Sequence, residues 1–201
     1  MRIRFTPLVL LFGMFGCATD SGVDPLANYE ELDATTILDA PSPNLGQSAP
    51  GNHHIALRGE YLVELLGCGA CHTDGALIGE PNMDRALAGS TVGIAASNPL
   101  GDKNPGIVYA SNITPDSETG IGLWSDQQIA NAIRAGLGRH FGEPIPVMPW
   151  QAYAKISDDD LTAIIAYLRS IEAVNHRVPD AVVPGQRAEY PFVYFGVYRS
   201  R

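Results

Sequence analysis

Three stretches of the chain carry apolar residues at helical spacing, separated by long polar segments rich in glycine and proline. The first starts at Ile55. Leu57, Tyr61, Leu62, Leu65 and Leu66 recur every three to four positions, and Gly67 supplies a stop. The second starts at Ser125, where Ser125 and Gln128 have capping-box spacing and Trp124 and Ile129 take the two staple positions. Its apolar face is Ile129, Ile133 and Leu137, and Gly136 and Gly138 end it. The third starts at Ser157, a capping residue followed by Asp158, Asp159 and Asp160 beside the positive end of the helix dipole. Leu161, Ile164, Ile165, Leu168 and Ile171 form its buried stripe.

Between these helices the pattern is irregular. Residues 73–123 show no long helical period; Gly106 to Ala110 reads as a short extended piece and Asn112 to Asp116 as loop. Pro144, Pro146 and Pro149 break the stretch from Gly142 to Pro149, so no regular element fits there. After Asn175 the chain is again broken by proline and ends in PFVYFGVYRSR. That aromatic tail must pack on the domain or on a partner, because exposed it would form an adhesive patch. The organisation expected is a signal segment at 1–16, a polar tether at 17–52 next to a lipid anchor, one domain at 53–175 and a C-terminal extension at 176–201, with no internal repeat and no second domain.

Composition narrows the function classes. The chain has 201 residues, 45% apolar and 17% charged, with a formal charge of −9. Loss of the leader, which holds Arg2 and Arg4, would take that to −11. Such a balance argues against nucleic acid and against wrapping on an anionic membrane surface, and fits a partner with a basic patch. The leader MRIRFTPLVLLFGMFGC has two arginines before a short apolar run, which is the pattern of an export signal. Gly16 before Cys17 resembles a bacterial lipoprotein signal, in which cleavage frees Cys17 to carry a diacylglycerol. Cleavage nearby without lipid, or an uncleaved anchor, are the alternatives. Ala18 and Thr19 lack the Asp-type signal for retention in the inner membrane, which leaves the outer membrane open.

The remaining cysteines sit in Cys68-Gly69-Ala70-Cys71-His72, directly after the first helix. Two residues between the thiols suit thioethers to one haem edge, and the histidine that follows can turn its imidazole to the iron. A disulfide, a zinc site or a thioredoxin-like pair are the competing readings. Zinc lacks a second thiolate pair, and the thioredoxin pair lacks its strand and helix context. Met148, between the second and third helices and held extended by Pro149, is either a further ligand or a methionine filling a gap in the core. Met83 comes only eleven residues after His72 and is poorly placed to reach the iron. His53, His54, His140 and His176 are the other histidines, and His140 is the one near the Met148 loop. Gly59 permits close helix approach and Tyr167 can fill the crossing.

The segments RGEYLVELLGCGACHT from Arg58, YASNITPDSETGIGLWSDQQIANAIRAGLG from Tyr109 and VMPWQAYAKISDDDLTAIIAYLRSI from Val147 resemble class I cytochrome c. They resemble most the cytochrome modules of membrane-bound alcohol, aldehyde and gluconate dehydrogenase complexes, whose subunits typically carry three such modules. This chain has one such motif. The resemblance covers roughly residues 55–172. It implies a mostly α fold, a single cytochrome c-like domain with helices packed around one haem c and extensive irregular loops. It also implies Met148 as sixth iron ligand and Tyr109, Asn112 and Thr114 as pocket or propionate contacts. The expected role is electron transfer in an extracytoplasmic respiratory or dehydrogenase-linked chain of a bacterium, in the periplasm, with a redox protein or a membrane oxidoreductase complex as partner. A haem enzyme subunit, peroxidase-like or oxidising a sulfur compound, and a haem-bearing assembly or sensor module are the alternatives.

Overall fold

The computed structural model describes residues 53–96, 106–138 and 147–196. Cys17, the leader, the tether and His140 lie outside the described residues. The described residues form five α-helices: α1 His53–Leu65, α2 Cys68–His72, α3 Asp126–Ala135, α4 Trp150–Tyr153 and α5 Asp158–Ser170. Three strands accompany them: β1 Gly93–Ala96, β2 Ile107–Tyr109 and β3 Phe192–Phe195.

The caps set the bounds of α3 and α5. Ser125 Oγ accepts from Gln128 N–H at 3.2 Å, and Gln128 Oε1 accepts from Ser125 N–H at 2.7 Å, closing the capping box. Gly136, at φ 67°, ends α3 in the left-handed conformation. Ser157 Oγ accepts from Asp160 N–H at 3.2 Å, and the expected stripe from Leu161 to Ile171 is buried along its whole length. Leu137 lies beyond α3 and is exposed, so the expected apolar face ends at Ile133.

Helix α1 corrects an expectation. Its buried residues are Ala56, Gly59 and Val63, while Leu57, Tyr61 and Leu65 are exposed. The cause is the crossing with α5. A Cβ on Gly59 would stand 1.9 Å from the Ala163 carbonyl oxygen and 2.7 Å from Tyr167 Cβ, so the backbones meet where α1 has no side chain. The face of small residues therefore packs, and the bulkier one turns outward. Arg58 pairs with Asp160 across the same contact. Val63, Ile129, Leu161, Ile164, Tyr167 and Leu168 share one core cluster, with Leu62 and Leu66 packed against it.

Tyr167 fills the crossing completely, yet its hydroxyl is buried without a hydrogen-bond partner. Burial is the main cause that pushes this phenol's pKa well up. Tyr167→Phe should therefore keep the ring packing and remove the unpaired group, raising stability by about 1 kcal/mol. A urea midpoint that falls instead would show that the hydroxyl is satisfied.

The sheet has the order β2-β1-β3. Strand β2 falls in the expected extended piece and pairs antiparallel with β1, Ile94 opposite Val108. Strand β1 lies within residues 73–123, where only Gly106 to Ala110 read as extended. Its other neighbour is β3 from the aromatic tail, which runs parallel, with Ile94 opposite Val193. The Tyr190 ring also meets Tyr109 edge to face, centroids 6.2 Å apart. The tail thus packs on the domain, and its strand forms part of the sheet.

Candidate functional site

The site grows from the junction of α1 and α2. Gly67, at φ 69°, turns the chain so that α2 starts immediately and carries Cys68, Cys71 and His72 on a single short helix. The two thiols are not joined to each other. Burial pushes the Cys68 thiol up to about 11 and raises that of Cys71 as well. These are the opposite of the lowered values that make a dithiol reactive in exchange, which disfavours the thioredoxin-like reading. Among the described residues no three His, Cys, Asp or Glu side chains gather in a way that could hold a metal ion.

His72 has one nitrogen engaged and one free for other chemistry. Its Nδ1 lies 2.7 Å from the Ser111 carbonyl oxygen. A carbonyl only accepts, so Nδ1 carries the proton and Nε2 presents its lone pair. Burial lowers the His72 pKa, opposed by the Ser111 bond, so the neutral imidazole is favoured. A half-buried neutral imidazole with its far side held by a carbonyl is the arrangement that orients a metal ligand.

Cys68, Cys71 and His72 line a cleft with about 1220 Å³ of empty space, counting its open mouth. The walls are almost wholly apolar: Ile94 from β1, Val108 and Tyr109 from β2, Ile113 and Trp124 from the following loop, Ile129, Ala132 and Ile133 from α3, and Ile164 and Leu168 from α5. Val147, Met148 and Pro149 complete the lining. The donor set fits a covalently held haem: two adjacent thiols, one free imidazole nitrogen and one thioether border a single apolar space.

Of the residues expected from the sequence, Cys68, Cys71, His72, Met148 and Tyr109 come together on this cleft. Asn112 and Thr114 are not among its lining residues. Both are buried, and their polar atoms bind each other and the backbone of Val174. Met83 sits in a 3-10 turn, Met83–Arg85, away from the lining. His53 and His54 are exposed at the start of α1. His176 is buried, with Nδ1 2.9 Å from the Ala88 carbonyl.

Two contributors were missed. The Ser111 carbonyl leaves no trace in the sequence, since any residue would supply it. Tyr153 lines the cleft and donates its hydroxyl to the Leu66 carbonyl at 2.9 Å, tying the Met148 segment to the end of α1. Burial, with Cys68 and Cys71 nearby, pushes its phenol up to about 12, so it stays a donor. A tyrosine three residues after Trp150, between the proline-broken stretch and the third helix, was the available signal.

No protein-family model matches the chain. Curated relatives do. The cytochrome c subunit of alcohol dehydrogenase (quinone) from Gluconobacter oxydans is 32% identical over 157 residues, 77% of this chain and 30% of that protein. The fructose dehydrogenase cytochrome subunit of Gluconobacter japonicus is 31% identical over 68% of this chain and 24% of its own length. The gluconate 2-dehydrogenase cytochrome c subunit of Pantoea cypripedii is 34% identical over 66% of this chain and 27% of its own length. The chain therefore spans less than a third of the length of each of these relatives. With the motif at Cys68 and the cleft it borders, the matches make this a cytochrome c-like chain that resembles the cytochrome c modules of dehydrogenase complexes.

Proposed function

We propose that the chain is a mono-haem c-type cytochrome that transfers electrons outside the cytoplasm. Cys68 and Cys71 hold the haem covalently, and His72 and Met148 bind its iron. The observation that carries this reading is the His72 imidazole: its Nδ1 proton is held by Ser111 while its Nε2 is free, beside two half-buried thiols on an apolar cleft that Met148 also lines. Such a haem supplies a one-electron ferric–ferrous couple whose potential depends on axial ligands, hydrogen bonds and burial. The protein's part would be to orient the His72 imidazole, exclude water with the apolar walls and offer the iron the neutral thioether of Met148. An iron held by both side chains would favour carriage over substrate chemistry.

The export pattern ahead of Cys17 supports the periplasm of a bacterium, with a diacylglycerol on Cys17 as the anchor. Among the described residues no helix is long and apolar enough to cross a membrane, so they supply no helical anchor of their own. The acidic charge of the chain and the kinship with dehydrogenase subunits support a membrane oxidoreductase complex or another redox protein as partner.

Intact mass of protein purified from its native membrane tests the proposal. The expected species begins at Cys17, carries a lipid and exceeds the polypeptide by one haem. A polypeptide mass with no added haem, or a chromophore fully extracted by acidified organic solvent, would reject it.

A further inference from the structure

We infer that Asn112 is a positioning residue for His72: it fixes the Ser111 carbonyl where that oxygen receives the Nδ1 proton, and thereby sets how the imidazole is presented to the iron. The inference rests on the reading of His72 as an axial ligand. The Ser111 carbonyl and the Asn112 amide nitrogen belong to one planar peptide, so whatever holds Asn112 also aims that carbonyl.

Asn112 is held unusually firmly. It is 2% exposed, and both ends of its side chain are engaged. Oδ1 accepts from the Thr114 N–H at 2.9 Å and from the Thr114 hydroxyl at 2.7 Å. Nδ2 donates to the Val174 carbonyl at 2.7 Å and to the Thr119 hydroxyl at 2.9 Å. The amide cannot be reversed, because the Thr114 N–H only donates and the Val174 carbonyl only accepts. Thr114 adds a second tie, its hydroxyl accepting from the Val174 N–H at 3.2 Å. The loop is thus fastened to the segment that follows α5.

Its other side is fastened to residues 87–90, which also meet the end of α2. Gly89 N–H donates to the His72 carbonyl at 2.7 Å, Ser90 N–H to the Ala110 carbonyl at 3.0 Å, and Ile113 N–H to the Leu87 carbonyl at 2.9 Å. A Cβ on Gly89, at φ 87°, would come 2.7 Å from the Asn112 nitrogen. His72, Gly89 and Asn112 are therefore stacked backbone to backbone, and Asn112 is the member whose side chain locks the layer from outside. A firmly placed carbonyl makes His72 a more basic ligand, which favours ferric iron. Loosening it should favour ferrous iron and free the Nδ1 proton.

The test uses the full-length holoprotein with its covalent haem. In Asn112→Ala the reduction potential should rise, and the His72 Nδ1 proton, followed by NMR of the ferric protein, should exchange with solvent at least tenfold faster. Asn112→Asp keeps the shape but sets an acceptor against the Val174 carbonyl, and should move both readouts the same way. Thr114→Val leaves Asn112 in place, removes the hydroxyl tie and serves if neither Asn112 variant accumulates. Lowered melting temperature with potential and exchange unchanged would make Asn112 merely structural and overturn the inference. A wild-type protein with no imidazole on its iron would instead overturn the ligand reading itself.

Discussion

Replacing Cys68 and Cys71 together with alanine should abolish covalent haem altogether. They are the two cysteines of the Cys-Gly-Ala-Cys-His motif; the third, Cys17, stands far from it in the sequence. Both sit on the wall of the cleft, so each can form one thioether, and a single replacement should leave one bond and a reduced yield. The double variant should show no haem on the denatured polypeptide in a gel stained for haem peroxidase activity. Any haem it retains should leave in acidified organic solvent. Covalent haem persisting in the double variant would sink the attachment reading. An unchanged product with either single variant would point to the other thiol as sole attachment point. Partial burial raises both thiols, so their reactivity does not come from a lowered pKa.

Met148→Ala should convert a closed iron into an open one. Met148 borders the same cleft as His72, in a segment that Pro149 biases away from helical geometry and that Tyr153 ties to Leu66. The ferric wild type should show the weak near-infrared band of sulfur on iron, and the variant should lose it. Added imidazole should then bind at least about a hundredfold more tightly, about 2.8 kcal/mol by affinity arithmetic. Met148→His should keep six-coordinate iron at a lower potential, because a thioether favours ferrous iron relative to a second imidazole. A band absent from the wild type, or surviving in Met148→Ala, would refute the assignment. His140 would then be the first ligand to examine.

Much of this arrangement was legible because its signals are local. Ser125 with Gln128, and Ser157 with three aspartates, announce helix starts within four residues, and both starts stand where expected. The attachment motif is five contiguous residues. Features that depend on distant partners were less legible. Gly59 and Tyr167 were legible as the α1–α5 crossing, but not that so close a contact would bury Ala56 and Val63 and leave Leu57, Tyr61 and Leu65 exposed, because Ala163 is far along the chain. Strand β1 carries Gly93 and two alanines, weak strand formers, and becomes a strand by pairing with residues 192–195. Asn112 and Thr114 were read as polar groups facing a pocket. Their asparagine and threonine chemistry instead satisfies the backbone of residue 174, a partner that no local pattern could reveal.

The parallel pairing of β1 with β3 also governs where the chain can be shortened. The helical pattern stops near Asn175, and a fragment ending there would look complete by its count of helices. It would leave one side of Gly93–Ala96 with a row of unpaired amides and carbonyls, the template on which strands of separate molecules join. Phe192–Phe195 satisfies that side of β1, so a fragment lacking it should self-associate more readily than the full chain, which sedimentation would show.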